Sequence, residues 1–217
     1  MEKRFTKSKT AVIFEDHKIF AASFAMLLER TGLFSVVQSF SKEEEVMGFF
    51  VQNQIENSFL FMDYFIPSCN TIYVMNDIRR FCPTVKVVIV SSVTNPSLIR
   101  KILLNKIDGF ISKTDGTEEV LACLRALSAK ESYYSPKIKQ LITEEDGNFN
   151  ILDLTSRELE VLTHLSWSKS VDQISELLSI SKHTVITHRR NLLAKSGCNS
   201  VTELVAYAIR AGLIAHD

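Results

Sequence analysis

Between residues 11 and 130 the chain alternates short, unbroken apolar runs with longer stretches whose apolar residues recur every three or four positions. The runs are Ala11–Phe14, Phe34–Val37, Phe59–Met62, Val85–Val90 and Gly109–Ile111. They are rich in Val, Ile and Phe, and most are continuous, as expected of strands buried on both faces. Each precedes a helix-like segment: His17–Arg30, Lys42–Gln52, Thr71–Phe81, Pro96–Asn105 and Glu118–Ala129. Five strand-then-helix units predict an α/β domain, a doubly wound, five-stranded parallel sheet with helices on both faces.

The alternation stops between Lys130 and Asp153, where Glu144-Glu-Asp-Gly-Asn148 is polar and reads as a linker. Ser135–Ile142 is long enough for one short helix before it. From Leu154 onward the helical period returns, predicting a small all-α unit of four helices. Three of these open on a capping signature: Thr155-x-x-Glu158, Ser170-x-x-Gln173 and Ser200-x-x-Glu203. The predicted organisation is therefore a domain over 1–130, a linker over 131–152 and a helical domain over 153–217. Within the last, Ser181 to Lys195 is a short helix with a basic face, entered through Ser179-Ile180-Ser181. Two short helices joined tightly, the second basic, are what a reader of the DNA major groove needs.

Composition changes this picture little. At 217 residues the chain is long enough for one large or two ordinary domains, and 46% apolar residues support packed cores. The 25 basic and 25 acidic residues cancel, so the chain is not basic overall. The distribution matters more: Ile180 to Cys198 carries Lys182, Arg189, Arg190 and Lys195 and no carboxylate. Cys69, Cys82, Cys123 and Cys198 are too scattered for a zinc site or disulfide framework and point to a reducing, cytoplasmic setting. The apolar run Ala11–Phe14 is too short for a signal peptide or a membrane span, so no membrane partner is expected.

Open α/β sheets bind ligands outside the carboxyl ends of their strands. Those ends carry Glu15 and Asp16 after the first run, Asp63 after the third, Ser91 after the fourth and Lys113 after the fifth. Three carboxylates held together repel, and either one pKa rises or a cation binds. Oxygen-only ligands favour a hard ion such as Mg²⁺. Lys113 and Ser91 are then placed to hold phosphoryl oxygens, and Asp63 is left as the attacking carboxylate.

This pocket resembles that of CheY-like receiver domains, whose sheet is flavodoxin-like, over about residues 9–130. The resemblance implies that Asp63 is the phosphoacceptor. Glu15 and Asp16 become the metal-binding acids, Glu15 through water, and the Phe65 backbone carbonyl a further ligand. Lys113 and Ser91 become the phosphoryl-binding pair, with Phe110 as the switch aromatic. Pro67 matches the family proline after the phosphorylation loop. Thr71 stands where the family has Gly, and Phe65 is a large apolar neighbour expected to slow water attack on a phosphoaspartate.

The C-terminal third resembles the LuxR-type helix-turn-helix of NarL/FixJ-like response regulators. The matching segments are Leu154-Thr-Ser-Arg-Glu-Leu-Glu-Val-Leu162, Gln173-Ile174-Ser175, Leu178-Ser-Ile-Ser181, Thr184-Val-Ile-Thr-His188, Asn191-Leu-Leu-Ala-Lys195 and Glu203-Leu204. At 100° per residue Val185 and Leu192 face inward, while Lys182, His183, Ile186, Thr187 and Arg190 form an outer stripe flanked by Arg189 and Asn191. The resemblance implies base contacts from Ile186, Thr187 and Arg190. Lys182, Arg189 and Lys195 are expected on phosphates, and His183 is exposed. Ser168 replaces the family glycine beside Trp167.

The expectation is a two-component response regulator and transcription factor, not an enzyme. A sensor histidine kinase would phosphorylate Asp63, controlling homodimerisation and binding to paired half-sites on double-stranded promoter DNA. The alternative is a pseudo-receiver, a DNA-binding regulator governed by protein partners without phosphorylation. A phosphohydrolase of the haloacid-dehalogenase type is disfavoured, because Phe65 stands where such enzymes carry a second Asp.

Overall fold

The computed structural model describes residues 9–53, 55, 57–66, 69–143, 154–211 and 213–214. The expected Pro67 site and the polar stretch Glu144–Asn148 lie outside them. Contacts divide the chain into two compact units: residues 1–66, 71–91 and 107–135, and residues 67–70, 92–106 and 136–217.

The first unit contains β1 (Thr10–Phe14), β2 (Val36–Phe40), β3 (Ser58–Met62), β4 (Lys86–Ser91), β5 (Gly109–Ser112) and β6 (Tyr133–Tyr134). They form one parallel sheet in the order β2-β1-β3-β4-β5-β6. The sheet thus has six strands rather than the expected five. The sixth is two residues long, too short to show a period. It is held on the free edge of β5: the amide of Tyr133 donates to the Asp108 carbonyl at 2.9 Å and that of Ser135 to Phe110 at 3.0 Å. β2 starts two residues later than the apolar run Phe34–Val37 suggested. Phe34 is a loop residue that packs its ring edge-on against Phe59, with centroids 5.3 Å apart. As an edge strand β2 is only partly covered, which blurred its pattern.

Helices α1 (Lys18–Arg30) and α5 (Thr117–Ser128) cover one face, burying Ala21, Phe24, Leu28, Val120, Cys123, Leu124 and Leu127 with Ala11, Ile13, Phe59, Phe61, Val88, Val90 and Ile111. By strand alternation Val12, Phe14, Leu60, Met62 and Phe110 point to the opposite face, where α2 (Glu43–Asn53) and α3 (Thr71–Phe81) pack against each other. The strand order reverses between β1 and β3, so the carboxyl ends of β1, β3, β4 and β5 bring Glu15, Asp63, Ser91 and Lys113 to one rim.

The second unit contains α4 (Pro96–Leu103), α6 (Pro136–Thr143), α7 (Ser156–Ser166), α8 (Val171–Leu177), α9 (Lys182–Ser196) and α10 (Val201–Arg210). Helices α7 to α10 close on Leu159, Val161, Leu162, Ile174, Val185, Leu192, Leu204 and Ala208, all buried. Two of the three predicted capping boxes are complete, at Thr155 with Glu158 and at Ser170 with Gln173. The third is half formed. Ser200 accepts from the Glu203 amide at 3.1 Å, but the Glu203 carboxylate takes the amide of Asn199 at 2.8 Å. Ser181 caps α9 by accepting from the Thr184 amide at 3.1 Å.

Candidate phosphoacceptor pocket and helix-turn-helix

Asp63 follows β3 directly, and its amide donates to the Phe14 carbonyl of β1 at 3.1 Å. Only 5% of it is exposed. Oδ1 accepts the Ser91 hydroxyl at 2.7 Å and the Phe65 amide at 3.3 Å. Oδ2 accepts the Lys113 ammonium at 2.8 Å. Both groups expected to hold a phosphoryl group thus already sit on the carboxylate that would carry it. Phe110 is fully buried on β5, the strand paired with Ser91's β4, in register with Ile89.

Glu15 is committed on both oxygens. Oε2 takes Lys113 at 2.8 Å, and Oε1 takes the amide of His17 at 3.0 Å and its Nδ1 at 2.8 Å. His17, the first residue of the predicted helix, thus also belongs to the pocket, which the sequence pattern does not show. Asp16 differs from its neighbour. Its Oδ1 is buried and accepts no hydrogen bond. Nδ1 of His17 lies 3.3 Å from it, but a single N–H cannot serve both carboxylates, and the shorter contact is to Glu15.

Burial raises the Glu15 pKa, and the Asp63 charge adds to this against the pull of Lys113. Burial also raises Asp16, opposed by His17. For Lys113 burial acts downward, but Asp63 and Glu15 outweigh it and hold the ammonium charged. Its Nζ also lies 4.8 Å over the Phe20 ring. One ligand atom from each of Glu15, Asp16, His17 and Asp63 falls within 4.8 Å of all the others, a spacing a metal ion can bridge. The orphaned Asp16 oxygen is an acceptor that such an ion would satisfy. The residues therefore fit a small hard cation.

The loop after Asp63 is closed by Thr71, whose buried hydroxyl donates to the Tyr64 carbonyl at 2.8 Å. Phe65 is 8% exposed and stacks edge-on with Tyr64, centroids 5.0 Å apart.

In the helical unit the chain turns between α8 and α9 through Ser179, at φ 52°. Arg157, near the start of α7, donates to the Leu178 carbonyl at the end of α8 and pairs with Glu160. Val185 and Leu192 of α9 are fully buried, as expected. Lys182, His183, Ile186, Arg189 and Arg190 are exposed, and Thr187 is half-buried. Lys182 pairs with Asp172 at 2.9 Å, both side chains well exposed. Lys195, expected on a phosphate, instead gives its ammonium to the buried Glu158 carboxylate at 2.7 Å. Burial pushes Glu158 up, but bonds from Lys195 and Thr155 outweigh it and hold its pKa below the usual range. Ser168 sits at φ 54°, in the left-handed region that favours glycine. Among the described residues no helix is long and apolar enough to cross a membrane.

Comparison with known proteins now divides the chain where its chemistry divides. The response regulator receiver domain matches residues 11–125, more than half of the chain, and the luxR family of bacterial regulatory proteins matches residues 152–208. The response regulator UvrY of Escherichia coli (strain K12) is 25% identical over 207 residues, covering 93% of this chain and 94% of UvrY. The oxygen regulatory protein NreC of Staphylococcus carnosus is 25% identical over 214 residues, covering 94% of this chain and 98% of NreC. Among solved structures, the RcsB response regulator of Salmonella typhimurium shares the fold with a TM-score of 0.59 at 20% identity, over 93% of this chain and 98% of RcsB. Another RcsB structure holds two dimers bound to two parallel DNAs. The chain belongs to the NarL/FixJ-like response regulators, a receiver domain followed by a LuxR-type helix-turn-helix.

Proposed function

We propose that this chain is a phosphorylation-controlled, DNA-binding transcription factor of the cytoplasm, with Asp63 as phosphoacceptor and α9 as the DNA reader. The observation that carries the reading is the placement of Ser91 and Lys113 at 2.7 and 2.8 Å on the two oxygens of Asp63. A carboxylate oxygen of Asp63 attacks phosphorus of a sensor kinase phosphohistidine. The phosphorus–nitrogen bond breaks and the imidazole leaves with the bonding pair. Lys113 and Ser91 then follow the phosphoryl oxygens, and Lys113 offsets their added charge.

Mg²⁺, when bound, supplies further positive charge for the incoming group. Asp16, Asp63 and the Phe65 carbonyl would hold it. Glu15, saturated by His17 and Lys113, acts at one remove and positions Lys113. Ser91 moving with the phosphoryl group biases the receiver through Phe110, and this changes homodimerisation on paired DNA half-sites. On α9, Lys182 and Arg189 contact phosphates, while Ile186, Thr187 and Arg190 lie toward base edges, with His183 exposed beside them. Lys195 contributes chiefly by fixing α9 to Glu158.

The test is duplex-DNA affinity with and without Mg²⁺ and acetyl phosphate, for the native chain and Asp63→Ala. A phosphorylation-dependent change of roughly 5-fold or more is expected, absent in the variant. Equal affinity in all four conditions would instead favour the pseudo-receiver.

A further inference from the structure

The outer stripe of α9 carries an apolar group where a polar one would be better hydrated. Ile186 is 51% exposed. A lone apolar side chain on a surface is ordinary, but the neighbours of this one narrow its meaning. Thr187 donates its hydroxyl to the His183 carbonyl, one turn back, at 3.0 Å. That bond commits the hydroxyl proton inside the helix, so the side chain offers no donor outward and its γ-methyl is the apolar group it can present. At about 100° per residue, Ile186 and Thr187 share the stripe with Lys182, His183 and Arg190. The Lys182 ammonium is drawn to Asp172 on α8. Arg189 and Arg190 are exposed and, among the described residues, have no ion-pair partner. The stripe therefore presents adjacent methyl groups, bordered by guanidinium groups.

In a major groove a methyl surface has one complementary base edge, the C5-methyl of thymine. Guanine and adenine offer acceptors there, and cytosine an amino donor. An isoleucine would strip water from those groups and give nothing back. We infer that Ile186, assisted by the γ-methyl of Thr187, is the specificity-determining contact of α9 and selects thymine through its 5-methyl group. The neighbouring arginines supply contacts to phosphate or guanine. The inference rests on the reading of α9 as a DNA helix given above.

The experiment starts from a random duplex pool from which the full chain, treated with Mg²⁺ and acetyl phosphate, retains its preferred sequence. Affinity is then measured for that duplex and for the same duplex with deoxyuridine at each enriched thymidine, which deletes only the methyl group. The native chain should lose about threefold to fivefold per critical methyl, the worth of one buried methyl group. Ile186→Ala, an exposed change that leaves the circular dichroism spectrum unaltered, should lose most of this difference between the two duplexes. Enrichment of a sequence without thymine would overturn the inference. So would equal binding of both duplexes by the native chain, or an undiminished uracil penalty in Ile186→Ala. In these cases DNA binding itself stands. If no duplex is retained at all, the DNA-binding function falls, and this inference with it.

Discussion

At the scale of single residues, Glu15, Asp16 and Asp63 are three carboxylates with three different employments. Asp63 is held by Ser91 and Lys113, Glu15 by Lys113 and His17, and only Asp16 keeps a buried oxygen with no donor. Asp16→Asn should therefore weaken Mg²⁺ binding more than Glu15→Gln, checked by a direct cation titration. A larger loss in Glu15→Gln would mean that Glu15 is the better metal ligand. Phe65, two residues on and buried with its ring against Tyr64, gives its amide to the same carboxylate, and Phe65→Asn should shorten the lifetime of phospho-Asp63 by admitting water. An unchanged or longer lifetime would remove that role. Asp63, Ser91 and Lys113 were legible in the sequence because each ends a buried strand, and strand ends in an open sheet converge. His17 was not. It sits beside the acids in sequence, but only the turn into α1 shows that its Nδ1 and amide both serve Glu15. The Lys195 ion pair is hidden in the sequence for a similar reason. Charge and period put it on an open helix face, whereas the packing of α9 against α7 brings it to a buried carboxylate.

At the scale of elements, the helical unit stands on caps and one unusual histidine. His164 of α7 is 3% exposed with its Nδ1 unbonded. Burial first, then Lys169 and Arg157, push its pKa down from 6.5 to about 4. The unfolded chain therefore binds the extra proton between these values, and its stability contribution is complete above the unfolded pKa. It is lost as pH falls through that window. From about pH 7 to about pH 5 the native chain should lose on the order of 2 kcal/mol more than His164→Gln, read from urea unfolding of the helical unit. Parallel losses would mean that the imidazole finds a partner when charged.

Ser168 closes the turn after α7 at φ 54°, and Ser168→Gly should stabilise the same transition by roughly 0.5–1 kcal/mol. The opposite sign would mean that the Ser168 side chain contributes more than its backbone strain costs. The existence of most elements was legible, because burial on two faces and helical amphipathicity leave different periods. What escaped was what tertiary contact decides. β6 exists because β5 has a free edge, and the third capping box opens because Asn199 competes for Glu203.

At the scale of the whole molecule, the proposed function couples a phosphoacceptor pocket in the receiver to a DNA-reading helix in the LuxR-type domain. The family identity followed from the order of the two parts, and the parts were legible because each carries its own pattern. The DNA affinity should fall with salt, since Lys182 and Arg189 are expected on phosphates. Replacing Arg189 with Ala should reduce the salt slope by about 1, read from affinities across a salt series. An unchanged slope would place Arg189 off the backbone. The central claim is that Asp63 accepts a phosphoryl group, and the mass of the intact protein after incubation with Mg²⁺ and acetyl phosphate tests it most directly. The account predicts one added phosphoryl group in the native chain and none in Asp63→Ala. An unmodified native chain, or an adduct that survives in Asp63→Ala, would contradict it.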